Sequence, residues 1–160
     1  MNNTKLLGVL LFLSLLTIKA VSAVQKEKSA TQLLQDFVWH NRVLIINPKN
    51  QMSATALTKQ FETHAYQMWE RKLIALLLVD DTVIELRFNE EGMVAASSPS
   101  NSSSNNKYSE LELRKRLSGK QSILIGLDGG TKSVYDLNNE QLDIQQLFAD
   151  IDGMPMRRGR

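Results

Sequence analysis

The sequence predicts a single α/β domain whose mixed β-sheet is flanked by helices on both faces. Three observations carry this expectation. Two short, wholly apolar runs, Val43–Ile46 and Leu73–Val79, bracket a stretch with helical periodicity. A Gly-rich turn at Asp128-Gly129-Gly130 separates two further strand-like runs. A final amphipathic segment, with its own start and stop signals, closes the chain.

The domain lies behind an export signal. Lys5 supplies the positive charge, Leu6 to Ile18 form an apolar run of thirteen residues closed by Lys19, and Val21-Ser22-Ala23 is a small-residue site with cleavage expected after Ala23. The apolar run is shorter than the about 20 residues that a spanning helix needs, so no stable membrane anchor is expected after cleavage. The expected organisation is therefore a signal peptide over 1–23, a polar arm over 24–32 and one domain over 33–158. Cleavage removes Lys5 and Lys19, and the 19 basic residues of the precursor fall to 17 against 17 acidic ones. The mature chain is then formally neutral, which gives no support for a nucleic-acid partner. The chain contains no cysteine, so disulfides, thiolate nucleophiles and cysteine metal sites are excluded.

Arg42 to Asn47 is rich in β-branched residues and stops at Pro48, as expected of a buried strand. Ser53 offers an N-cap, and Ala54, Leu57, Phe61, Ala65 and Met68 recur at helical spacing, predicting one helix that ends near Arg71-Lys72. Leu73 to Val79 predicts a central strand, and Asp80-Asp81 a turn. Ile84, Leu86 and Phe88 alternate with Val83, Glu85 and Arg87, predicting a half-exposed strand that ends at Asn89-Glu90-Glu91-Gly92. Residues 97–106 are Ser, Asn and one Pro, the composition of a mobile polar loop. Ser109 with Glu112 predicts a capped helix to Leu117. Ser122–Leu127 and Lys132–Tyr135 predict a β-hairpin around Asp128-Gly129-Gly130. Asp143 and Gln146 then form a second capping box, Ile144, Leu147, Phe148 and Ile151 share one face, and Gly153 supplies the stop.

Strand, helix, strand, extra strand, helix, hairpin, helix is the element order of the thioredoxin fold with an insertion after its second strand. Ile125-Gly126-Leu127-Asp128-Gly129-Gly130-Thr131-Lys132, with Asp152-Gly153-Met154-Pro155-Met156-Arg157 after the last helix, resembles the signature of a domain of unknown function nicknamed DUDES. That domain occurs in secreted bacterial proteins and in vertebrate extracellular proteins of the sushi-repeat and Equarin type. Phe37-Val38-Trp39-His40-Asn41-Arg42 is similar to its opening motif. The resemblance implies a thioredoxin-like fold and no settled activity. It marks Trp39, Arg42, Gly126, Asp128, Gly129, Gly130, Lys132, Asp152, Met154, Pro155, Met156 and Arg157 as signature positions without an assigned role. The chain departs from redox-active thioredoxins twice. Pro48-Lys49-Asn50-Gln51-Met52 stands where their cysteine pair would be, and Ser118-Gly119-Lys120-Gln121 replaces the proline before the third strand of the fold.

The remaining residues offer little catalytic chemistry. His40 and His64 are the only histidines, and a metal site would need further converging ligands, so no metal, cofactor or catalytic residue is assigned. Asp128-Gly129-Gly130 lacks the spacing of a phosphate-binding loop and joins two strands, so its glycines read as turn residues. Trp39 is expected in the core. The Met-Pro-Met-Arg tail is expected to close the core, with a docking role as the alternative. The functional expectation is an exported, non-catalytic interaction module whose partner is an envelope or extracellular protein. The alternative is a thiol-independent enzyme acting on a small envelope metabolite at the edge Asn47–Ser53.

Overall fold

The computed structural model describes residues 34–96 and 110–154, with only the backbone described at Ala95 and Ala96. The expected signal peptide, polar arm and 97–106 loop, Ser109 and the tail from Pro155, with Met156 and Arg157, lie outside the described residues.

Among the described residues ten elements follow one another: β1 Arg42–Ile46, α1 Gln51–Thr63, α2 Ala65–Glu70, β2 Leu73–Val79, β3 Thr82–Asn89, β4 Gly92–Ala96, α3 Glu110–Leu117, β5 Ser122–Ile125, β6 Thr131–Tyr135 and α4 Ile144–Asp152. The sheet order is β4-β3-β2-β1-β5-β6. Only β1 and β2 are parallel; β5 runs antiparallel to β1, and β6 to β5. The four strands β2-β1-β5-β6 have the thioredoxin-like arrangement, and the β3–β4 hairpin extends the sheet beyond β2.

Every residue of β1 and β2 is buried, because helices cover both faces of these central strands. Alternation splits their side chains between two cores. Leu44, Ile46, Ala75, Leu77 and Leu124 face Leu57, Phe61, Met68, Leu147 and Ile151 of α1, α2 and α4. Val43, Ile45, Leu76, Leu78 and Ile123 face Leu113 and Leu117 of α3, with Leu34 and Phe37 from the segment before β1. Each fully buried aliphatic side chain contributes roughly 1.5–3 kcal/mol of transfer free energy, so the sheet holds the domain together without staples.

Several local expectations are corrected. Asn50, rather than Ser53, caps α1: its Oδ1 accepts from the Ser53 backbone N–H at 2.9 Å and from the Ser53 hydroxyl at 3.0 Å. The single helix expected up to Arg71 breaks at His64. The His64 ring bonds the Gln60 carbonyl at 2.9 Å, and the His64 N–H turns to Phe61 O instead, so the regular ladder is interrupted there. Glu85, expected on an exposed face, is buried and pairs with Arg87. β4 was absent from the expectation; Asn89 builds its turn by accepting from the N–H groups of Glu91 and Gly92, at 3.0 and 2.9 Å. At α4, Asp143 accepts from the Gln146 N–H, but the Gln146 side chain donates to Asp150 and does not close the box. Gly153 ends the helix at φ −74°, without a left-handed turn.

Candidate functional site

The two ends of the sheet differ in chemistry. One end is where β1 and β2 begin, and it gathers most of the described signature positions. Arg42, the first residue of β1, is buried and donates from Nη1 to the Arg71 carbonyl at 2.8 Å. Arg71, just before β2, pairs with Asp152 of α4 at 2.6 Å and lies over the Phe148 ring, 4.4 Å from its centre. Burial lowers the Arg42 pKa; Asp152 opposes that effect and Arg71 adds to it. The Nε atoms of both arginines are buried without a hydrogen-bond partner. Met154 packs onto the α1–α4 core beside this network.

At the same end, the β5–β6 turn is a closed lattice. The Gly126 N–H donates to Gly130 O at 2.9 Å, and Asp128 accepts from the Gly130 N–H at 3.1 Å and from Lys132 Nζ at 2.7 Å. Ser133 pairs with Leu124 and Thr131 with Ile125, so Lys132 is the extra residue of a bulge, which turns it back over the loop. These bonds, the Lys132 contact first, hold the Asp128 carboxyl below the usual carboxylate range. Gly129 has φ +76°, and a Cβ there would stand 3.2 Å from Val38, so this position requires glycine. Arg116 donates to the Gly129 carbonyl at 2.9 Å.

Trp39 corrects the expectation of a core residue. Its φ is 67°, its N–H donates to Leu127 O at 2.6 Å, and its ring is 61% exposed. The left-handed backbone aims the side chain outward from the segment that Phe37 anchors.

The other end is where β1 and β2 finish and β5 starts. There a groove of about 330 Å³ is lined by Asn47, Lys49, Asn50, Asp80, Arg114, Lys120 and Gln121 among others. The sequence marked the edge Asn47–Ser53, but gave no sign that Arg114, Lys120 and Gln121 would join it. Arg114 crosses from α3, donating to Asn47 Oδ1 at 2.8 Å and to Asp80 O at 2.6 Å, and it also pairs with Glu110. Gln121 accepts from the Leu137 N–H at 2.7 Å. Left-handed backbone at Ser118 (φ 51°) and Gly119 (φ 79°) turns the chain from α3 into β5. Among the described residues, the lining has no histidine, serine or threonine, and Asp80 is its only carboxylate.

A third group lies on α4 and β6. The Tyr135 hydroxyl donates to Asp150 at 2.8 Å; burial pushes the Tyr135 pKa up, and hydrogen bonds from Ser133, Tyr135 and Gln146 hold Asp150 down. This contact ties helix to sheet.

Among the described residues, no group of three or more His, Asp or Glu side chains is placed to hold a metal ion, and no helix is long and apolar enough to cross a membrane. His40 and His64 stand apart, one bonded to Val38 O and the other within the α1–α2 junction. Comparison with curated proteins and with solved structures finds no match for the chain. The family described as Domain of unknown function (DUF4174) matches residues 33–160, so the chain belongs to that family.

Proposed function

We propose that this protein is an exported, thioredoxin-like domain of the DUDES type that works as a non-catalytic binding module in the cell envelope or outside the cell. One observation carries the binding reading. At the end of β1, where this fold places its reactive thiols, the described residues form a groove of amides and cations fixed by Arg114, with Asp80 as the one carboxylate and with no hydroxyl, thiol or imidazole side chain. General acid–base or nucleophilic chemistry needs such groups paired within hydrogen-bond reach, and among the described residues neither Lys49 nor Lys120 pairs with Asp80. The export reading rests on the leader: Lys5, the Leu6–Ile18 run and the Ala23 site. The partner we propose is an envelope or extracellular protein.

The experiment follows the full chain expressed in cells. Mass spectrometry of the envelope fraction should find a mature protein beginning at Val24, and cross-linking in place should capture a partner. Repeating the capture with residues 155–160 deleted keeps Met154 in the core and tests the tail as the docking element. An uncut precursor in the cytoplasm, or no partner enriched over a scrambled control, overturns the reading. Thiol-dependent peroxide consumption should stay at background.

A further inference from the structure

The groove at the end of β1 has a polarity that its residue names alone do not reveal. Asn47, Asn50 and Gln121 each carry one acceptor and two donors on the side-chain amide. In all three the oxygen is already engaged by a protein donor that cannot act otherwise. Asn47 Oδ1 takes the Arg114 guanidinium, Asn50 Oδ1 takes the Ser53 N–H, and Gln121 Oε1 takes the Leu137 N–H. A guanidinium and a backbone N–H only donate, so the orientation of each amide is forced. What remains of each side chain is its NH2 group, and none of the three nitrogens has a partner among the described residues.

Lys49 and Lys120, both exposed, line the same groove and make no ion pair among the described residues. Arg114 is already balanced by Glu110, which leaves two ammonium groups against the one carboxylate of Asp80. The thirteen-residue helix α1 starts at this point, and its positive dipole end adds to the same sign. A surface with free donors and surplus positive charge suits a ligand that only accepts hydrogen bonds and carries negative charge.

We propose that this groove binds the oxyanion group of a small molecule, a phosphate or a carboxylate, through Lys49, Lys120 and the amide nitrogens of Asn47, Asn50 and Gln121. The inference rests on the binding reading of the groove given above. It names the ligand chemistry at a site that the partner protein need not touch. The volume, about 330 Å³, accommodates an anionic head group and little more.

The test is calorimetric titration of the purified mature chain, residues 24–160, with inorganic phosphate, succinate and, as the neutral control, glucose. Phosphate or succinate should give saturable heat that falls with added salt, and glucose none; the stronger of the two anions identifies the source of the group. A Lys49→Gln/Lys120→Gln variant should bind at least about tenfold more weakly while keeping the parent Tm within a few degrees. Asn50→Asp, which keeps the cap oxygen and replaces the free NH2 with a second acceptor, should weaken binding without loss of fold. Absence of saturable binding by either anion, or unchanged affinity in the double variant, overturns the proposal. Either result leaves the partner-binding reading intact if cross-linking still captures a partner, so the two can fail separately.

Discussion

Arginines stand at both ends of this sheet, and the two ends use them in opposite ways. Where β1 and β2 begin, Arg42 and Arg71 are drawn into the protein. One guanidinium is buried against a carbonyl and the other clamps Asp152 and lies over Phe148. Where the strands finish, Arg114 takes the Asn47 amide oxygen and the Asp80 carbonyl, and the Asn47 NH2 is left without a partner among the described residues. A cation can therefore close a site or open one, depending on whether it is buried with its partners, as Arg42 is, or takes an amide oxygen at a groove, as Arg114 does. The described signature positions concentrate at the closed end, the expected place for residues that hold a fold. The groove occupies the end that is free to act.

Substitutions can break this contrast, beginning with the largest effect. Arg42→Ala removes the bond to the Arg71 carbonyl together with a buried stem, and should cost about 2–3 kcal/mol in urea unfolding. Arg42→Met, which keeps the stem and removes a partly unpaired buried charge, should cost less than about 1 kcal/mol. Equal losses in the two variants would mean that the charge itself holds this end. Gly129→Ala forces a side chain into left-handed backbone against Val38 and should cost about 1–2 kcal/mol, read as a lower Tm.

Smaller effects separate the ends further. Arg114→Gln should cost about 1 kcal/mol of stability, because its side chain is partly exposed, yet it should free the Asn47 oxygen and weaken anion binding. Acid should act through Asp150 and Asp128, whose folded pKa values lie below their unfolded ones. The unfolded chain then takes up protons first as pH falls. Stability is therefore held above about pH 4 and is lost below it as pH falls through the folded values. An Asp150→Asn variant should show a shallower loss in chemical denaturation across that range. Lys49→Gln alone should change stability by less than about 0.5 kcal/mol, as at an exposed site without partners.

How much of this was legible in the sequence follows from the range of each interaction. β1, β2 and α4 were readable because their signals are local: unbroken apolar runs, and a four-residue apolar face behind Asp143. β4 was not, because Met93-Val94-Ala95-Ala96 is short and weakly apolar, and it forms a strand only by pairing with β3. The break at His64 and the cap at Asn50 depend on which of several polar groups reaches a carbonyl or an N–H first, and periodicity does not contain that information. Trp39 misled because bulk and apolarity predict burial, whereas a positive φ aims the ring outward. The groove was half legible. The edge at Asn47–Ser53 follows from element order, but Arg114 lies 67 residues from Asn47 and meets it only in the fold.

The central claim is that the unpartnered donors of the groove end are open to a ligand, whereas those of the other end, Arg42 Nε and Arg71 Nε, are buried. Nitrogen-labelled mature protein, titrated with inorganic phosphate and followed by NMR, tests it directly. We predict saturable shifts of the side-chain NH2 signals of Asn47, Asn50 and Gln121, with the Arg42 and Arg71 Nε–H signals unmoved. Shifts at the arginines with silence at the three amides would contradict it.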